Sequence, residues 1–234
     1  MINKRSAVYL LQCVALILGA VTVAYWSLQK ATANVWYFSS LYSLQNWQQN
    51  PAAFKESDYQ SMLLSIGRAV EQDPTQPHYL HIKANIITLG ISQHWLPKSE
   101  LVTARELLLD SINNRKAWPK SWIELARVQA YLEGVDEQVI NYISRAEEVG
   151  PYDFDVHKAV VEIMLQHWSN LQPQYKAYFF KHLLLALRHG YKFVEILKIA
   201  KQSQQLPLVC LIIDKDSRFE EIKWSWMNNS YCAK

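Results

Sequence analysis

WIELARVQAYLEGVDEQVINYISRAEEVGP, residues 122–151, reads as two helices folded back on each other. Trp122, Leu125, Ala126 and Gln129 recur at helical spacing, and Ala126 is small enough to let a second helix approach. Gly134 supplies the turn, and Asp136 is placed to cap the helix that follows. Tyr142 and Ala146 face back toward the first helix, and Gly150-Pro151 ends the unit.

The punctuation repeats on both sides. Helical spacing covers 59–72, stopped by Asp73-Pro74, and 75–89, stopped by Gly90. A loop with Pro97 leads to 100–113, which Ser99 can cap, and Arg115 to Pro119 breaks the pattern again. Beyond Pro151 lie helices over 155–171 and 173–188, stopped by His189-Gly190, and a last one over 191–204. Alternating strand patterns with hairpin turns are missing. Leu208 to Ile213 is short and apolar; with no partner strand in sight, it is read as a buried C-terminal segment. Trp122-x-x-Leu125-Ala126 resembles the W-x-x-L-G opening of a tetratricopeptide helix. Ala69, Asp73 and Pro74 fit a repeat end, and Ala84 fits the next small position. The expected fold is all-α: an N-terminal transmembrane helix, then a tetratricopeptide-like array of antiparallel helix pairs, an α-solenoid.

The transmembrane helix is read from Ala7 to Leu28, an apolar run without a charge. Its 22 residues, at a rise of ~1.5 Å each, extend about 33 Å, enough to cross a hydrocarbon core of about 30 Å. Lys4 and Arg5 precede it, so residues 1–6 are expected in the cytoplasm and the remainder in the periplasm. Ala31-Thr32-Ala33 has the shape of a signal-peptidase site, so cleavage after Ala33 is the alternative to anchoring. Residues 29–55 read as an aromatic juxtamembrane helix or linker, 56–206 as the helical domain and 207–234 as a C-terminal tail.

The charge balance agrees with this layout. Of 24 basic residues, Lys4, Arg5 and Lys30 lie in the first 30, leaving 21 against 21 acidic residues beyond. The excess of +3 is therefore a topology signal, and no basic run with interleaved aromatics marks a nucleic-acid partner. Cys13 falls in the apolar run, while Cys210 and Cys232 are expected on the oxidising side, where they can form a disulfide or stay free.

Signals for chemistry are weak. Asp153-Phe154-Asp155 and Asp214-Lys215-Asp216 have the D-x-D form that holds a metal on nucleotide sugars, but each also fits a helix cap. The seven histidines include His78/His81 and His182/His189 without an H-E-x-x-H pattern. Glycine-rich phosphate loops and a G-x-S-x-G elbow are missing. No catalytic, metal or cofactor residue is assigned, and a non-enzyme is expected. Helix-pair grooves bind partners more often than they catalyse, which directs attention to Tyr79–Lys83 and Lys120–Gln129, with Trp118 and Trp122 nearby. Trp224 and Trp226 in the tail are candidates to stack on sugar rings, packing being the alternative.

Three stretches together carry a family resemblance: Asp73-Pro74-x-x-Pro77-x-Tyr79-Leu80, Trp118-Pro119-x-x-Trp122-x-x-Leu125-Ala126, and Arg145-Ala146-x-x-x-Gly150-Pro151. With the single anchor, residues 7–171 resemble the VpsP-type polysaccharide biosynthesis proteins of Gram-negative bacteria, departing from them at Lys116, where proline is expected. The resemblance implies an accessory scaffold in exopolysaccharide synthesis or export, anchored in the inner membrane. Its implied partners are a polymerase, an export protein, a second copy, or the polysaccharide itself as a bound glycan. An enzyme acting on the polysaccharide is the third reading.

Overall fold

In the computed structural model, which describes residues 4–232, twelve α-helices and four short 3-10 turns account for most of the described residues. No strand occurs among the described residues. The helices are α1 (Lys4–Gln49), α2 (Glu56–Gln72), α3 (Pro77–Ser92), α4 (Glu100–Asn114), α5 (Pro119–Glu133), α6 (Glu137–Val149), α7 (Phe154–Gln166), α8 (Pro173–Leu187), α9 (Val194–Gln202), α10 (Leu206–Lys215), α11 (Glu220–Lys223) and α12 (Trp226–Tyr231).

Local chemistry sets the boundaries. Pro77, Pro119 and Pro173 open α3, α5 and α8, where a missing N–H costs nothing and φ is already helical. The Asp136 carboxylate accepts from the Val139 N–H at 2.9 Å, and that of Asp153 from the Asp155 N–H at 2.9 Å. Gly134 ends α5 with φ of 84°, a backbone that side-chain-bearing residues rarely adopt.

The chain divides into two compact units, one through Asn114 and one from Arg115. In the first, α1 does not stop at the end of its apolar run: a single 46-residue helix carries through to Gln49. Its far part lies antiparallel to α2. Lys30 Nζ meets Asp73 at 3.0 Å, Thr32 donates to Gln72 at 2.8 Å, and Ser40 donates to the Met62 carbonyl at 3.0 Å. The repeat that ends at Asp73-Pro74 therefore has the second half of α1 as its first helix. Ala33, inside the candidate cleavage stretch, is fully buried in this contact. The second pair is α3/α4, with Ser111 donating to the Pro77 carbonyl at 2.9 Å. Tyr59, Met62, Ile66, Ile82 and Ile86 form the core.

Gly90 belongs to that core. A methyl group on it would run into the ring of Tyr59, which is fully buried and tilted against the Trp95 ring at 5.1 Å. Gly90→Ala is expected to destabilise the first unit by about 1–3 kcal/mol through overpacking. Urea unfolding of the detergent-solubilised chain measures it, and an unchanged midpoint would show that the ring moves aside freely.

In the second unit, α5 pairs with α6 and α7 with α8, again antiparallel. Gly150 at the end of α6 packs on Pro119 at the start of α5, while Phe154 and His189 meet across the far ends of α7 and α8. Two expectations change here. Leu208–Ile213, read as a buried C-terminal segment, is the body of helix α10, with Val209 and Ile213 buried. The helix over 191–204 is not the last. A 3-10 turn at Gly190–Phe193 precedes a shorter α9, and α10 to α12 follow, so the tail is folded. Cys210 and Cys232 are joined by a disulfide with Cα atoms 5.5 Å apart.

Candidate interaction surfaces

The two units offer different surfaces. In the first, α2, α3, α4 and the 93–99 loop enclose an open hollow of about 520 Å³. Leu63, Leu64, Ile87 and Leu96 supply its apolar lining, with Leu64 59% exposed. Glu71, Lys83 and Glu100 stand on the rim; Arg68 also lines it, with its guanidinium 4.5 Å from the Trp36 ring. An apolar floor with mixed charges around it suits an amphipathic segment of another protein.

The predicted contact residues separate on this frame. Lys83 lines the hollow. Tyr79 turns inward: it is 3% exposed, donates to Asn34 Oδ1 at 2.8 Å, and lies 5.0 Å from the Tyr37 ring. Burial raises its phenol pKa. Gln129 is buried in the second unit. Trp122 is half-buried against Tyr142 and donates its indole N–H to the Lys116 carbonyl at 2.8 Å. Trp118 sits at the N-cap of α5 with Arg115 over its ring at 5.2 Å. Only Trp224 and Trp226 of this set are widely exposed, at 76% and 59%. Trp224 edges a shallow hollow of about 260 Å³ that also holds Asp214, Glu220 and Lys223.

The face of α5 expected to meet a partner instead holds α7. Arg127 bridges Glu124 and Glu162, each at 2.8 Å. Burial opposes its charge, but the two carboxylates outweigh burial and raise its pKa. Lys120 pairs with Asp155 at 3.1 Å, and Lys158 joins Asp155 to Glu195 of α9 at 2.9 Å. Tyr131 donates to Gln166 at 3.1 Å. Position 127 carried no sequence signal, because its second partner lies 35 residues away.

Neither aspartate triplet forms a paired-carboxylate site. Asp153 caps α7 and Asp155 is held by two lysines. Asp214 pairs with Lys215 and Lys223, which hold its carboxyl down at about 2, and Asp216 pairs with Arg218. Among the described residues, no three His, Cys, Asp or Glu side chains converge as metal ligands.

The histidines instead form a buried pair. His157 and His182 face each other Nδ1 to Nδ1 at 3.1 Å. His157 Nε2 lies 3.1 Å from the Pro151 carbonyl, which can only accept. In the neutral pair, His157 therefore carries its proton on Nε2 and accepts from His182 Nδ1–H. His182 Nε2 is then left with a lone pair and no hydrogen-bond partner. Burial, reinforced by His157 and Lys181, pushes the pKa of His182 down to about 3. Glu147, 3.8 Å away, favours the proton, but Lys181 at 2.6 Å already neutralises it, so burial wins. Burial lowers His157 as well.

The unfolded chain takes up these protons near pH 6.5 and the folded one resists them. The stability held by this pair is thus complete above about pH 6.5 and is lost as the pH falls, by up to about 1.4 kcal/mol per pH unit for His182, with His157 acting in the same direction. His182→Gln is expected to flatten the loss between pH 7 and 5, measured by urea titrations; parallel curves for variant and parent would refute the assignment.

The described residues define an all-α protein of tetratricopeptide-like helix pairs, with one helix long and apolar enough to cross a membrane. No family model and no curated protein matches the sequence. Among solved structures, the chain is similar to one described as "Functional Characterization of Pseudomonas Aeruginosa pilF". The identity is 10%, over 83% of this chain and 98% of that one, with a TM-score of 0.36.

Proposed function

We propose that the protein is a non-catalytic scaffold anchored in the inner membrane by α1, with its helix pairs in the periplasm. There it holds a polymerase or export protein of exopolysaccharide synthesis. The observation that carries the scaffold reading is the open hollow on the first unit, apolar within and mixed-charged at the rim, on a body tethered by an unbroken helix. The polysaccharide setting rests on the resemblance of residues 7–171 given above. Tethering raises the local concentration of such a surface, so weak contacts suffice.

Crosslinking and capture from membranes of the native host tests this. One inner-membrane polysaccharide protein should be recovered with the parent chain and lost with Leu64→Asp, a change at an exposed site that leaves the core intact. Recovery unaffected by Leu64→Asp, or of no such protein, would end the reading. A periplasm-specific reporter fused to the C-terminus should be active; activity only in the cytoplasm reverses the topology.

A second reading, binding of the glycan itself, is favoured by the exposed Trp224 indole beside carboxylates and a lysine, the combination that stacks on and hydrogen-bonds to a sugar. Titration with the purified polysaccharide should then change tryptophan fluorescence saturably, and Trp224→Ala should abolish the change.

A further inference from the structure

The face of α1 that points away from α2 is apolar far beyond any membrane. Val14, Val21, Leu28, Val35 and Tyr42 stand seven residues apart. Leu10, Ile17, Ala24, Ala31 and Phe38 stand seven apart and four before them. Together they make an unbroken a/d heptad seam, and every one of them is exposed. The opposite side of the helix, at Ala33, Ser40 and Leu44, is buried.

Inside a bilayer such a seam is unremarked, since lipid covers apolar side chains. Beyond Leu28 it is not. Lys30 is paired with Asp73, and α2 and α3 pack on residues 32–44, so this part of α1 stands outside the hydrocarbon. Tyr42 lies about 21 Å beyond Leu28 along the helix, well past the headgroups. Val35 at 67%, Phe38 at 45% and Tyr42 at 63% exposure therefore meet water, Phe38 and Tyr42 stacked on each other along the same face but covered by no other helix among the described residues.

We infer that this seam is the interface with a second copy of the same chain, two α1 helices packing in parallel as a left-handed coiled coil that starts in the membrane and continues for two heptads above it. Three observations select that occupant. The partner must present an apolar helical face both within the bilayer and at the same height outside it, and a second α1, inserted in the same orientation, does so in register. Between Arg5 and Lys55 the only charge is Lys30, which lies off the seam and is paired, so like meets like without repulsion. The seam and its flanking positions supply about 20 residues per side, the number a stable interface requires. The pairing is two-fold and self-complementary. It rests on the anchoring of α1 proposed above and not on which partner the hollow binds.

The test uses the full chain in membranes with Cys13→Ala, leaving the Cys210–Cys232 disulfide in place. Val35→Cys, Phe38→Cys and Tyr42→Cys, oxidised with copper phenanthroline, should each give a covalent dimer of twice the chain mass. The yield should be about tenfold above that of Val102→Cys, an exposed position on α4. Adding Val35→Glu and Tyr42→Glu, both at exposed sites, should lower the Phe38→Cys dimer about tenfold without loss of helicity. Yields equal to the α4 control, an adduct of another mass, or a dimer indifferent to the two glutamates would each overturn the inference.

Discussion

Arg127→Ala is expected to destabilise the second unit by about 3–5 kcal/mol, more than any surface substitution could. The guanidinium has little exposed area, and its two carboxylate partners share that shielding. Removing the cation leaves Glu124 and Glu162 facing each other with their attraction converted to repulsion. The sign of the pH dependence follows. Without Arg127, protonating either carboxylate relieves that repulsion in the folded chain. The deficit relative to the parent is then full at neutral pH and shrinks as the pH falls through the carboxylate range. Adding Glu124→Gln and Glu162→Gln to the variant should restore much of the loss. Urea midpoints at pH 7 and pH 4.5 check both statements, and a deficit under 1 kcal/mol at pH 7 would mean the cluster is an ordinary surface network.

Reduction of Cys210–Cys232, or Cys210→Ser with Cys232→Ser, is expected to remove about 3 kcal/mol from the C-terminal segment, on the loop-entropy account of a crosslink 22 residues apart. The enclosed helices α11 and α12 have four and six residues, too few to persist by themselves. Ile222 and Met227 are their main buried anchors. Trp224 and Trp226 lie inside the closed loop and report on it directly. Their emission should shift on adding reductant at temperatures well below the main unfolding transition, and coincident transitions with and without reductant would contradict this.

Helix pairing was legible because its signals are local. Proline at the first turn, aspartate at the cap and glycine at the turn each act within four residues, and the starts of α3, α5, α6, α7 and α8 rest on them. The orientation of the pairs was not local. A periodic stripe shows that a helix has two faces, but Tyr79 and Gln129 turn inward because of neighbours far away in sequence. The six apolar residues 208–213 fit either a strand or a helix, and only the buried contacts of Val209 and Ile213 decide. Arg127 carries no signal in the sequence because Glu162 is 35 positions distant. The exposure of Trp224 and Trp226 depends on the knot of short helices that the disulfide closes, which no periodicity announces.

The unbroken course of α1 from the candidate span to Gln49 has a mechanical result. A flexible stalk lets its cargo swivel; a continuous helix transmits both height and azimuth. From Leu28 the rod rises about 31 Å to Gln49 with α2 packed along it from Lys30 onward, so the first unit is clamped to the helix itself and not hung from its end. Lengthening the rod by one residue near Gln29 would raise the body by only about 1.5 Å yet turn it by about 100°. The protein is thereby built to be sensitive to bearing and tolerant of elevation.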